Sequence, residues 1–325
     1  MGTEELFLSL LGSEKGYVTE KHLAKKAGIS RSAATKLVKS LQRYGYNISS
    51  KHGGYRLAAK TDLPLPWELT KVLDTLFIGK RRIVYRHRTH STQDIAVHLA
   101  EENSASHGMV VIAEQQKSGR GRQGRKWLSP KGGIWLSVIL KPRIHAEEII
   151  MLPFAAALAV HDAIKKCTYL DTKLRWPNDV TIFGKKVAGI LIDVSIEEQY
   201  INYAVIGVGI NVNVDSSAIN SCLEDGVTVT SISDELGRNT SILDLTRELL
   251  ERVEYYYLEV ERCGPTTIIE KWKKNSDTLG RKVAVAQNNK TIQGIVAEIS
   301  DDGSLLVRTG RHDTIVIADD VRVIY

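Results

Sequence analysis

The chain has 325 residues, 43% hydrophobic and 25% charged, which is enough apolar material for two or three packed domains and too much for a disordered polyelectrolyte. No apolar run reaches the length of a membrane span, and the opening MGTEELFLSLLGSEKG lacks the basic start and cleavage site of a signal peptide. The net charge is +6, and residues 1–62 carry all of the excess, with 11 Lys+Arg against 5 Asp+Glu, so the first fifth of the chain suits a polyanion such as DNA.

Residues 4–11 (EELFLSLL) predict a short amphipathic helix, and 19–27 predict a second with Thr19 as its N-cap. Gly28-Ile29-Ser30 is a tight turn. Ser30 caps a third helix over 31–44, whose Ala34, Leu37, Val38 and Leu41 form an apolar stripe. YNISSKHGGYRL then reads as a hairpin with Gly53-Gly54 at its tip. Two helices across a glycine turn, followed by a hairpin, make a winged helix-turn-helix. The early residues of the second helix of such a pair reach base edges. Here these are Ser30, Arg31, Ser32, Thr35 and Lys36, with Lys39, Lys51 and His52 placed for phosphates.

Pro64 and Pro66 mark a linker, with a domain boundary near 65 and a helix over 67–78. A strand over 81–86, a polar turn over 88–93, a helix over 94–102 and a strand over 109–113 follow. Residues 114–127, EQQKSGRGRQGRKW, set Arg120, Arg122, Arg125 and Lys126 among three glycines. Glycine lets backbone N–H groups approach a ligand, and arginine holds carboxylates or phosphates by two bonds, so this loop is suited to close on an anion. It spells G-x-G-x-x-G, but the RKWLSPKGG after it is poor helix material, which excludes a dinucleotide fold.

GIWLSVILK (133–141) is apolar on both faces and reads as an interior strand. A long helix spans 146–167. Short strands at 173–176 and 180–183 flank Pro177-Asn178-Asp179, and longer ones follow at 187–196 and 201–212. Gly207 and Gly209 alternate in the last of these, where a ligand or neighbouring backbone can come close. Helices follow at 241–262 and 265–275. From 281 onward, short β runs punctuated by turns suggest a β-barrel of about fifty residues. Cys167, Cys222 and Cys263 are scattered and read as reduced thiols of a cytoplasmic protein. No histidine has metal-ligand spacing, so no metal site is expected.

Ser91-Thr92, GRGRQGRKW, RWPND (175–179), GKKVAG (184–189) and GVGIN (207–211) occur in that order. Together they resemble the biotin protein ligase family. With the winged helix in front, the chain resembles its bifunctional form, a ligase that is also the biotin operon repressor. The resemblance implies a mixed α+β architecture in three parts: a winged helix-turn-helix DNA-binding domain over 1–65, a catalytic domain around a central mixed sheet over 66–277, and a small SH3-like β-barrel over 278–325. It implies ATP-dependent activation of biotin to biotinyl-5′-AMP, then transfer to a lysine of a biotin carboxyl carrier domain.

By the same resemblance Ser91, Thr92, Gln116, Arg120, Lys186, Gly189, Gly207 and Gly209 belong with biotin, Arg120 at its carboxylate. Arg122, Arg125, Trp127, Asn178 and Asn211 belong with ATP, Trp127 over the adenine. Catalysis falls to Lys186, Arg120 and Asp179, the last orienting Lys186 or the acceptor lysine. Mg²⁺ is expected to accompany ATP without a dedicated cage. The implied partners are operator DNA and a second copy of the chain, the homodimer being favoured by biotinyl-5′-AMP; strand 133–141 offers a sheet for side-by-side pairing, and no membrane is involved. The rival readings are a lipoate–protein ligase of the same catalytic fold and a biotin ligase whose winged helix no longer represses.

Overall fold

The computed structural model describes residues 2–13, 16–142, 146–198, 200–222, 228–287, 290–310, 312–316 and 322–324. The chain divides into two compact units, Met1–Val72 and Leu73–Tyr325.

In the first unit, helices Thr3–Ser13, Glu20–Ala27 and Arg31–Arg43 pack Phe7, Leu11, Leu23, Ala34, Val38 and Leu41 into one core. The caps fall where the residue types put them. Thr19 accepts from His22 N, Ser30 from Ala33 N, and Gly28 ends its helix in the left-handed region. The wing is a hairpin of Asn47–Lys51 and Gly54–Ala59 turning on His52 and Gly53, both at positive φ. A third strand, Val18–Thr19, adds to its Gly54–Ala59 side. Its approach is close: a Cβ at Gly54 would lie 3.1 Å from the Val18 carbonyl oxygen.

Helix Pro66–Val72 lies in this first unit and is shorter than the 67–78 the sequence suggests. Tyr46 Oη donates to Glu68 Oε1 at 2.6 Å, and Trp67 Nε1 donates to Tyr46 Oη at 2.7 Å. Beyond Val72 the backbone N–H groups of Leu76, Phe77 and Ile78 all donate to the buried carboxylate of Glu254. Those donors are spent on a side chain, so the helix does not continue.

The second unit is built on a seven-stranded sheet in the order Ile83–Arg86, Met109–Ala113, Ile134–Leu140, Tyr200–Ile210, Lys185–Glu197, Asp179–Ile182, Thr172–Arg175. Only the first pair is parallel. Helices Leu152–Thr168 and Ile242–Cys263 pack on each other, and Thr92–Glu101 packs on the strands at the other end. The helix expected over 146–167 opens as a 3₁₀ stretch, Ala146–Met151, before Pro153 in the first turn of the α-helix. Every residue of Ile134–Leu140 is buried, and the strand is paired on both sides. It therefore has no free edge, and the side-by-side pairing expected of it is ruled out.

Strands Lys282–Gln287, Lys290–Ile299, Leu305–Thr309, His312–Val316 and Arg322–Ile324 form a five-stranded antiparallel sheet with His312–Val316 and Arg322–Ile324 at its edges. No pairing closes it into a barrel among the described residues. Among the turns and runs that the sequence suggests from 281 onward, Asn288-Asn289 and the end of DTIVIA (313–318) lie outside those residues. Trp176 Nε1 donates to the Gly303 carbonyl at 2.9 Å, and a Cβ at Gly303 would meet Phe154 at 2.6 Å, so this sheet is seated against the Leu152–Thr168 helix and the end of the Thr172–Arg175 strand.

Candidate functional site

The antiparallel pair Asp179–Ile182 and Lys185–Glu197 contains a register shift between Val180 and Thr181: Val180 faces Ala188 but Thr181 faces Lys186, leaving Val187 as the extra residue. A bulge of this kind reverses the alternation of faces. It turns Lys186 to the face shared by Gly189 and Asp179, and Lys186 Nζ lies 2.7 Å from Asp179 Oδ1. Gly189 pairs with Gly209 on the neighbouring strand. Together they make a flat floor for the indole of Trp127: a Cβ at Gly209 would lie 2.5 Å from Trp127 Nε1, and one at Gly189 3.0 Å from Trp127 Cζ3. Lys186 Nζ stands 5.1 Å from the centre of that ring. Trp127 Nε1 and the buried Asn211 Oδ1 have no hydrogen-bond partner among the described residues. Buried polar atoms of this kind mark where ligand atoms can pair. Asn211 Nδ2 donates to the Thr230 carbonyl at 3.1 Å, and Asn178 Nδ2 to the Ile190 carbonyl at 2.6 Å.

The glycine–arginine segment is a two-stranded hairpin, Gln116–Arg120 with Lys126–Ser129, turning through Arg122–Gly124. No helix follows it, as expected from RKWLSPKGG. Gly119 is required for the pairing, since a Cβ there would lie 2.5 Å from the Trp127 carbonyl oxygen. Arg120 Nε lies 2.8 Å from Asp94 Oδ1 and a terminal nitrogen lies 2.8 Å from Asp193 Oδ2. The arginine expected at a ligand carboxylate is thus held by two carboxylates of the chain itself. Arg125 reaches Gln123 Oε1 at 3.2 Å and is exposed, as is Gln123.

Ser91 caps the Thr92–Glu101 helix through Gln93 N and Asp94 N. Thr92 N–H donates to Gln116 Oε1 at 2.7 Å, and Gln116 Nε2 to Ser129 Oγ at 2.8 Å. Gly207 does not face the indole; a Cβ there would lie 2.4 Å from Gln93 Oε1. Gln116 and Ser129 also border a cavity of about 410 Å³ between the hairpin and residues 213–219. The structure therefore gathers Lys186, Asp179, Gly189, Gly209 and Trp127 at one place, and Ser91, Thr92 and Gln116 at another beside it. Gln93, Asp94, Ser129, Ser137 and Asp193 join these groups without any sequence motif to announce them. Arg175 of RWPND is structural: it pairs with Asp277 at 2.8 Å, both side chains largely buried. Trp135 and Trp176 are core residues.

In the first unit Arg31, Ser32, Lys36 and Lys39 are exposed along one side of the Arg31–Arg43 helix, opposite Ala34, Val38 and Leu41. Ser30 Oγ is engaged as the cap and lies 3.0 Å from Ser32 Oγ, and Thr35 Oγ1 donates to the Arg31 carbonyl. Lys51 and His52 are exposed at the wing.

Fold and site define a ligase sheet of the biotin/lipoate type carrying a winged helix-turn-helix. Comparison with known proteins gives the same class. Residues 85–211 match the biotin/lipoate A/B protein ligase family, 3–56 an HTH domain, and 278–316 the biotin protein ligase C-terminal domain. The bifunctional ligase/repressor BirA of Bacillus spizizenii is 34% identical over 94% of this chain and 92% of its own. That of Bacillus subtilis is 32% identical over 98% and 97%. Among solved structures, a biotin protein ligase from Aquifex aeolicus in complex with biotin and ATP superposes with a TM-score of 0.63 at 25% identity, covering 75% of this chain and 99% of that one. The chain belongs to the biotin protein ligase family, in the form that carries an N-terminal DNA-binding domain.

Proposed function

We propose that this protein activates biotin with ATP to biotinyl-5′-AMP, transfers the biotinyl group to a lysine of a carboxyl carrier domain, and represses transcription when the adenylate is bound. The observation that carries the reading is the Lys186–Asp179 pair beside the Gly189–Gly209 floor under Trp127. Bringing a carboxylate onto a phosphate ester joins two anions, so the reaction needs a fixed cation where charge develops. Lys186 supplies it and Asp179 fixes its direction. In the second half-reaction Asp179 is placed to orient the acceptor amine. Arg120 is the partner for the biotin carboxylate, Arg122 and Arg125 for phosphates, and Trp127, Asn178 and Asn211 for the nucleotide. Ser91, Thr92 and Gln116 carry the ureido head group, with Gly189, Gly207 and Gly209 keeping the sheet surface open behind it. Mg²⁺ enters with ATP as part of the substrate. Among the described residues no three His, Cys, Asp or Glu side chains are grouped to hold a metal.

We place the three-part division at 1–65, 66–277 and 278–325; the family matches over 3–56, 85–211 and 278–316 fall inside these parts, and helix Pro66–Val72 shares a compact unit with the winged helix. No helix among the described residues is long and apolar enough to cross a membrane. The exposed Arg31, Ser32, Lys36 and Lys39, with the half-buried Thr35 and with Ser30 at the cap, form the operator-reading edge, and two copies joined in the adenylate-bound state read a two-fold site.

ATP–pyrophosphate exchange with biotin, with lipoate and with neither tests the ligase reading. Exchange with lipoate but not biotin replaces it with the lipoate ligase. A gel shift with operator DNA, with and without biotin plus ATP, tests repression. Specific retardation absent in both conditions leaves a ligase whose winged helix does not repress.

A further inference from the structure

The strand that carries Asp179 and the strand that carries Lys186 are joined by a two-residue turn, Phe183-Gly184, closed by the pair Ile182 and Lys185. Both turn residues have positive φ, 48° at Phe183 and 78° at Gly184, the pattern of a type I′ hairpin turn. Such a turn favours Asn-Gly, and a bulky side chain at its first position is strained. Phe183 takes that strain without gaining burial, for it is 73% exposed. On its other side Ile182 pairs with Thr172, in the edge strand Thr172–Arg175. Shortly before Thr172 in the chain, Tyr169 ends the Leu152–Thr168 helix, again at positive φ, 61°, and is 92% exposed.

A single exposed apolar residue is ordinary on a protein surface. Here two large aromatics are exposed at one end of the sheet, each in a backbone conformation that Asn or Gly would adopt at lower cost. Neither burial nor backbone preference accounts for them, and strain of this kind gathers where a surface is used. The use follows from position. Lys186 comes three residues after Phe183 and Asp179 four before it, at most about 10 Å and about 14 Å of extended chain. Transfer of the biotinyl group needs a protein substrate whose lysine comes to this pair. A contact of about 800 Å² per partner is roughly 30 Å across. A domain centred on Lys186 and Asp179 therefore extends far enough to cover the turn.

We propose that Phe183, with Tyr169 at the same end of the sheet, is an apolar docking surface for the folded acceptor domain, outside the adenylate site. The partner is a carboxyl carrier domain that presents an apolar surface beside its target lysine. Lys165, Asp171 and Lys173 flank Tyr169 in the chain and are exposed, which gives the aromatic anchors a polar rim. This deepens the ligase reading and rests on it. It concerns the second half-reaction alone, since activation of biotin brings no second protein to the site.

The test uses the full-length Phe183→Asn protein, because Asn tolerates the left-handed conformation and keeps the turn. Three rates are compared: biotin-dependent ATP–pyrophosphate exchange, transfer to a folded biotin carboxyl carrier domain, and transfer to hydroxylamine, a small nucleophile that needs no docking. The Michaelis constant for the carrier domain rises about tenfold, as for loss of one aromatic anchor. Exchange and hydroxylamine transfer keep their wild-type rates, and the melting temperature is equal to wild type or higher. Tyr169→Asn gives a smaller rise of the same kind. A carrier-domain constant unchanged in Phe183→Asn overturns the proposal, and a concurrent weakening of adenylate-dependent dimerisation in sedimentation would then assign the surface to a second copy. An equal fall in exchange and in carrier-domain transfer also overturns it, placing the turn in the support of the site itself. Absence of biotin-dependent exchange in the unsubstituted protein overturns the ligase reading instead.

Discussion

Lys186 Nζ stands 2.7 Å from Asp179 Oδ1, across a strand pair whose extra residue, Val187, turns the lysine to the Gly189 face. Without the bulge the ammonium would point to the other side of the sheet, away from Trp127. The position of the cation is thus set by backbone register, and its direction by one carboxylate.

Lys186→Ala removes the fixed cation from the developing negative charge. Adenylate formation in single-turnover experiments should slow by roughly 10²–10³-fold, with biotin binding weakened far less. Asp179→Asn keeps the side-chain shape but not the charge and should give a smaller loss of the same kind. Adenylation at the wild-type rate in Lys186→Ala removes this residue from the mechanism.

The sequence carried some of this and not the rest, for identifiable reasons. Caps at Thr19 and Ser30 are local, so residue type and spacing were enough to place them. The strand Ile134–Leu140, apolar but for Ser137, was legible as interior, yet the same reading should have denied it an edge for pairing. The bulge at Val187 was not legible, because a one-residue register shift leaves the apolar run VAGILI unchanged. Ser137 looked like a lone polar residue in a core strand; its partners Thr92 and Gln93 are more than forty positions away. Gly189 and Gly209 were legible as places of close approach, but not as the floor beneath Trp127, which only the hairpin's fold brings there.

Trp127 covers those two glycines and stands beside Lys186. Trp127→Ala should therefore raise the Michaelis constants of both substrates, by about three- to tenfold each for the loss of one stacking surface. Steady-state titrations of ATP and biotin separate the cases. An effect on biotin alone would overturn the assignment of the indole to the nucleotide.

Arg175 and Asp277 form a largely buried ion pair, and Asp277 also takes Arg281 at 3.0 Å. Removing the Arg175 guanidinium leaves the carboxylate with the more exposed Arg281 and the Thr181 hydroxyl at 3.4 Å. Arg175→Ala should lower unfolding free energy by about 2 kcal/mol, the worth of a hydrogen bond to a charged group, and leave both Michaelis constants near wild type. A selective rise in either constant, with unchanged stability in urea, would make this arginine a ligand contact.

Arg120 is half-exposed between Asp94 and Asp193, so each pair contributes less than about 1 kcal/mol to stability. Arg120→Ala should leave the melting temperature almost unchanged. Its effect should appear in the lifetime of bound adenylate, shortened about tenfold or more when a charge-assisted hydrogen bond is removed. A lifetime equal to wild type would confine Arg120 to its two carboxylates.

Arg31 opens the exposed side of the Arg31–Arg43 helix, one residue past the Ser30 cap, with Ala34, Val38 and Leu41 buried behind it. A side chain there reaches a base edge or a phosphate if this helix enters the major groove. The two cases differ in their salt dependence. If Arg31 reads a base, Arg31→Ala should cost operator binding about 1–3 kcal/mol and relax the preference for operator over random DNA. If it holds a phosphate, the same substitution should weaken both DNAs alike and reduce the salt slope by about one. Gel shifts at several salt concentrations, with the adenylate present, separate them. Retardation of operator DNA equal to wild type across that range would take this helix edge out of the DNA interface.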